Sequence, residues 1–159
     1  MNGTLALEAV VEAMKEYGPV KPAGRNRIQI ETIPDKIRDA IMRSLEVLQC
    51  DRLIAISSAD NGTALELLYH LTGPHRTVLS LCLALPRESP ETPTLSDLLP
   101  PAGIYERQIH DLMGIVFQGH PGLKKIVLNE DWPEGEYPLR KDWKPGPDTF
   151  YGGIRERRI

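Results

Sequence analysis

The chain has 159 residues, 41% hydrophobic and 26% charged, with a formal net charge of −3. That length falls within the roughly 100 to 200 residues usual for one domain, so a single core is expected. The slight acidic excess argues against nucleic acid as a partner, because phosphate binders cluster a surplus of lysine and arginine.

Only two cysteines occur, Cys50 and Cys82. Cys82 falls in an apolar run, where a free thiol behaves as a small buried hydrophobe, and no disulfide is expected. The start reads Met1-Asn2-Gly3-Thr4 with Glu8 and Glu12 close behind, which is not a secretory pattern. The longest apolar stretch, Val78 to Leu85, is far below the roughly 20 residues that span a bilayer. A cytoplasmic chain that meets a membrane only through partner subunits is the expectation.

Residues 4–17 predict an amphipathic helix: Leu7, Val10, Met14 and Tyr17 recur three or four apart, and Gly18-Pro19 stops the pattern. Arg27 to Glu31 sets Ile28 and Ile30 on one side, as in a strand. Helical spacing returns from Pro34 to Leu48 through Ile37, Ile41, Leu45 and Leu48. Pro34 suits a first turn, where its missing N–H has no helical partner.

Three apolar runs follow, Leu53–Ser57, Leu65–Leu71 and Val78–Leu85, separated by Asp60-Asn61-Gly62 and Gly73-Pro74-His75. They predict an antiparallel meander, with Asn-Gly as the hairpin signal and Leu65, Leu67, Tyr69 and Leu71 on one face. The two preceding helices are expected to cover that face. Pro86 ends the last strand, and Arg87 to Pro93 reads as a polar connection.

From Pro100 onward, Tyr105, Ile109, Leu112 and Met113 form a helical stripe, and Gly114 is a natural C-cap. On the opposite flank, Glu106 with His110 and Arg107 with Asp111 stand four apart, which predicts an exposed face dense in charge. Beyond Phe117 the periodicity disappears. The remainder is rich in proline and glycine and holds both tryptophans, Trp132 and Trp143. Such a segment suits an arm that orders on a partner's surface, with a short strand expected at Lys125 to Leu128. The fold class expected is α+β: a small, mostly antiparallel sheet packed on helices over residues 1–117, then an extended arm over 118–159 docking on a partner subunit.

Recognised chemistry is sparse. No glycine-rich phosphate loop supports nucleotide binding. His70, His75, His110 and His120 lack zinc spacing, and an iron–sulfur cluster generally needs four thiolates. Glu106, His110 and Asp111 can be drawn as an acid/base cluster, but charged neighbours on one helix are more often a solvated or interfacial face. No catalytic, cofactor-binding or metal-binding residue is therefore expected in this chain.

The run from Tyr105 to Ile115, then Gly119-His120-Pro121, Asp131-Trp132 and Pro138-Leu139-Arg140-Lys141-Asp142, resembles the signature of the C subunit of respiratory complex I (NADH dehydrogenase) and of its counterparts in energy-converting membrane-bound nickel–iron hydrogenases. With the upstream hairpin at Tyr69-His70-Leu71, the resemblance runs over residues 27–145. It implies a cofactor-free structural subunit in the hydrophilic module of an ion-translocating redox complex, peripheral on the cytoplasmic side of the membrane. The implied partners are a large catalytic-type subunit and small iron–sulfur subunits, which would carry iron–sulfur clusters and nickel–iron.

The signature and interface residues that the resemblance implies are Tyr105, Glu106, Arg107, His110, Asp111, Gly114, His120, Pro121, Trp132, Arg140, Lys141 and Asp142. The complex I pattern usually reads Glu-Arg-Glu and then an aromatic before the Asp. Gln108, His110 and Leu112-Met113 depart from it and look like the hydrogenase branch. Two alternatives stay open: the C subunit of an NADH:quinone oxidoreductase and, in another class, a small stand-alone enzyme using the His110 cluster. A long aromatic, arginine-bearing arm has more use in an assembly than in a stand-alone enzyme.

Overall fold

Strict alternation of apolar side chains along the central strands organises the molecule, a computed structural model that describes residues 3–146. In chain order the elements are α1 (Leu7–Met14), β1 (Val20–Gly24), β2 (Arg27–Thr32), α2 (Pro34–Glu46), β3 (Arg52–Asp60), β4 (Ala64–Thr72), β5 (Val78–Pro86), β6 (Glu91–Pro93), α3 (Ala102–Met113) and β7 (Val116–Gln118). The main sheet has the order β1-β2-β5-β4-β3. β3, β4 and β5 form the expected antiparallel meander, and β2 lies parallel to β5 with Ile28 opposite Leu79 and Ile30 opposite Leu81.

Leu65, Leu67, Tyr69 and Leu71 of β4 are completely buried on one face, beside Leu79, Leu81 and Leu85 of β5. They join one core with Val10 and Met14 of α1, Ile37 and Ile41 of α2, and Ile109 and Met113 of α3. Three helices therefore contribute to it, one more than the two expected from the sequence. Each fully buried aliphatic side chain contributes about 1.5–3 kcal/mol relative to exposure.

On the other face of β4, Leu68 and His70 are half-buried. His70 bridges the Ser57 hydroxyl (3.1 Å) and the Ser80 hydroxyl (2.8 Å) across three strands. Burial pushes its imidazole pKa down, and the Arg27 charge adds to that. Cys82 lies in the central strand β5 and is only half-buried, against expectation. Cys50 is the buried thiol, pushed up to about 12 by burial, with the Asp51 charge adding.

Both sheet edges are interrupted. β1 contains Pro22, and its register on β2 shifts between Pro22 and Gly24. In β3 the register shifts between Leu53 and Ala55, and the Tyr105 hydroxyl donates to the Ile54 carbonyl at 3.2 Å.

Several elements depart from expectation. α1 is shorter than residues 4–17, and β1 has no forerunner in the sequence pattern because Lys21, Pro22 and Gly24 give it no alternation. The connection after β5 is not wholly irregular, since β6 pairs in parallel with β7. Among the described residues no helix is long and apolar enough to cross a membrane.

Candidate functional site

Helix α3 carries most of the family-like signature, and its inward face explains the first surprise. Ala102, Glu106, Ile109 and Met113 follow at spacings of four, three and four, so Glu106 occupies an apolar row. It is completely buried, accepting hydrogen bonds from the Thr94 hydroxyl (2.5 Å) and the Leu95 N–H (2.8 Å). Burial pushes its carboxyl pKa up, opposed by those two hydrogen bonds. His120 Nδ1 accepts the Gly122 N–H at 3.0 Å, so its proton sits on Nε2, which donates to the Gly103 carbonyl at 3.0 Å. That same nitrogen lies 3.9 Å from the Glu106 carboxylate.

After β7, residues 119–146 form a strap without helix or strand. It starts alongside α3 and runs in the same direction. His120 meets Gly103; Arg107 donates from Nε to the Lys124 carbonyl and from Nη2 to the Lys125 carbonyl, both at 3.0 Å. One turn further, a single oxygen of Asp111 accepts the N–H groups of Ile126 (2.7 Å), Val127 (2.8 Å) and Leu128 (3.2 Å). Consecutive amides converging on one carboxylate oxygen form a curled anion nest, which is incompatible with the strand expected at 125–128.

The exposed, charge-dense face expected on α3 is therefore corrected. Glu106 and Asp111 are buried, and Arg107 and Asp111 do not pair with each other but each hold strap backbone. Strap carbonyls and amides left without regular structure need partners, and these side chains supply them.

A second set of contacts fixes the end of α3. Gly114 adopts the left-handed conformation (φ 71°) and its N–H closes the helix on the His110 carbonyl at 2.9 Å. A Cβ there would collide with the Tyr137 ring, so only glycine lets that ring pack on the turn. The Arg140 guanidinium stacks over Tyr137 at 4.7 Å, and its Nε donates to the Met113 carbonyl at 2.8 Å, a cation placed at the helix C-terminus. His110 Nδ1 donates to the Ile115 carbonyl at 2.9 Å.

Farther along, the Lys141 N–H donates to Asp60 at 2.8 Å, while Arg87 pairs with both Asp60 and Asp142. The Arg87 guanidinium and the Lys141 amide hold the Asp60 carboxyl well below the usual carboxylate range. Trp132 and Trp143 pack tilted, 5.9 Å between centroids, and both indole N–H groups donate to Glu136. Pro121 is exposed beside His120.

Most of the singled-out residues thus meet along one seam between α3 and the strap. The acid/base cluster drawn around His110 is not assembled: Glu106 turns to Thr94 and Leu95, Asp111 to the strap. Sequence reasoning missed Asp60, Arg87, Thr94 and Tyr137. Asp60 had a signal, since its carboxylate also caps the hairpin through the Gly62 N–H at 2.8 Å. Among the described residues no group of three potential ligands is placed to hold a metal ion.

The family described as respiratory-chain NADH dehydrogenase, 30 Kd subunit, matches residues 30–149. The chain belongs to that family. Among 30 Kd subunit relatives, the C subunit of the F(420)H(2) dehydrogenase of Methanosarcina mazei is 37% identical over 140 residues, covering 86% of each chain. The fused C/D subunit of the NADH-quinone oxidoreductase of Bacteroides thetaiotaomicron is 35% identical over 74% of this chain, and the match spans 24% of that longer protein. A chain from the membrane-bound sulfane sulfur reductase, an archaeal respiratory membrane complex, superposes with a TM-score of 0.74 at 27% identity, covering 86% of this chain and 84% of the other. The mixed fold with its mostly antiparallel sheet also matches that of the trypsin-resistant fragment of Nqo5, with a TM-score of 0.62 at 24% identity, covering 73% of this chain and 97% of the other.

Proposed function

We propose that the chain is a structural subunit in the peripheral, hydrophilic module of a membrane-bound redox complex related to complex I, and that it docks on the large catalytic-type subunit. One observation carries this reading: Arg107 and Asp111 of the signature are spent on holding the strap, and Ile104 63%, Val127 52% and Leu139 57% stay exposed. Apolar side chains kept in water on a backbone this tightly held suit a surface awaiting a partner. The fused C/D relative supports a D-type partner, because one polypeptide there carries both parts.

In this reading the electron-carrying chemistry resides in neighbouring iron–sulfur subunits, and contact with the cytoplasmic side of the membrane runs through them. Gln108, His110 and Leu112-Met113 support a hydrogenase-type complex with nickel–iron in a partner. The Methanosarcina relative favours an F(420)H(2) dehydrogenase complex as the second reading. Purification of the complex through a tag on this chain tests the proposal. A D-type subunit and iron–sulfur subunits should be recovered with it in fixed ratio, and iron should stay with them when the chain is dissociated. Recovery of the chain alone from gently solubilised membranes and from soluble extract would overturn it.

A further inference from the structure

Between the C-terminal half of α3 and the strap turn at residues 132–137 lies a cavity of about 420 Å³. His110 and Asp111 line it from the helix, Trp132 and Tyr137 supply aromatic surface, and Glu134 and Glu136 bring carboxylates from the strap. This lining is held in place. Tyr137 is caught between the Gly114 turn and the Arg140 guanidinium, and Trp132 is tied through its indole N–H to the Glu136 carbonyl at 2.9 Å.

The charge balance of the cavity is one-sided. Three acidic residues and one lysine, Lys125, line it, and the Lys125 ammonium already donates to the carbonyls of Glu130 (3.4 Å) and Trp132 (2.5 Å). Asp111 is occupied by strap amides and Glu136 by Trp143, whereas exposed Glu134 has no hydrogen bond or ion pair among the described residues. His110 uses Nδ1 as donor to Ile115, so Nε2 of the neutral ring is an acceptor. The Glu134 carboxylate, unpaired among the described residues, and the imidazole acceptor, beside the Trp132 indole, together select a cationic group through charge-assisted hydrogen bonds.

We infer that this cavity receives an arginine or lysine side chain from the neighbouring large subunit, an anchor that sets the register of docking. The inference rests on the subunit role proposed above and adds the chemistry of one contact. An exposed carboxylate with no partner among the described residues contributes little to their folding, so its charge is available to a neighbour.

The test measures binding of the purified full chain to a complex depleted of it, using wild type, Glu134→Gln and Glu134→Lys across a series of NaCl concentrations. Both variants should keep the wild-type thermal midpoint. Glu134→Lys should weaken association about tenfold or more, Glu134→Gln less, and Glu134→Gln should show a shallower salt dependence than wild type. Wild-type affinity and salt dependence in both variants would overturn the cation anchor while leaving complex membership intact. Weakening by Trp132→Ala alone, with both Glu134 variants unaffected, would mean an apolar anchor and would also overturn it. Failure of wild type itself to bind would sink the subunit reading and this inference together.

Discussion

The β4–β5 pair and the strap over residues 119–146 are held by opposite means. β4 and β5 bury a continuous apolar row and satisfy their backbones by laddering with each other. The strap buries little apolar surface, and much of its backbone is satisfied by side chains reaching from elsewhere: Arg107, Asp111 and Asp60. Burial without directional partners is cooperative and global, whereas a set of polar clamps can open one at a time. The sheet should thus set the stability of the molecule, and the clamps should set only the position of the strap.

Removing a side chain from the sheet core gives the largest expected effect. Leu67 is completely buried, so Leu67→Ala should cost about 2–5 kcal/mol, read as a lower urea midpoint. Amide protection in sheet and strap should fall together, because the strap's anchors stand on the sheet and α3. A strap that kept its protection while the sheet lost it would break the comparison.

Asp111→Ala comes next. It strips three amides of a charged acceptor, and hydrogen bonds to charged groups are worth about 1.5–3 kcal/mol. Faster exchange should be confined to residues 126–128 and their neighbours, with β4 and β5 unchanged. A drop in global stability as large as that of Leu67→Ala would show that strap and sheet form one cooperative unit.

Acid should produce the smallest and most local change. Asp60 has a folded pKa depressed by Arg87, so its contribution is complete above the unfolded carboxyl value of about 3.9 and lost as pH falls below that toward the folded value. Glu106 has the opposite sign. Its folded pKa is raised by burial, so its contribution is present at low pH and is lost as pH rises through the folded value. Amide exchange measured from about pH 6 down to about pH 2 should therefore show the Lys141 contact loosening only at the acid end, while the Leu95 contact with Glu106 does not weaken. Simultaneous loosening of both would contradict these assignments.

The same division decides what could be seen in the sequence. Leu65, Leu67, Tyr69 and Leu71 announce β4 by alternation, and Ile37 and Ile41 announce α2 by helical spacing, because apolar burial leaves a period in the chain. Side-chain-to-backbone clamps leave none: nothing in Lys124 to Leu128 marks their amides and carbonyls as ligands of Arg107 and Asp111. The family-like motif named residues that meet along the seam but gave no direction for their side chains, and charge alone suggested a solvated flank. Glu106 could have been placed inward, since it sits on the same helical row as Ala102, Ile109 and Met113. β6 and β7, three residues each, are too short to carry any pattern.

The interrupted edges of the main sheet bear on the interval between synthesis and assembly. A complex subunit waiting for its partners is a free monomer, and an uninterrupted edge strand would invite pairing with other copies. Pro22 removes a donor from β1, while the register shift at Leu53–Ala55 and the Tyr105 hydroxyl on the Ile54 carbonyl disturb β3. Each border is thus interrupted within its ladder. Faces, helix and strap are then better suited to contacts than the edges, and the interruptions work against the free chain stringing into fibres of itself.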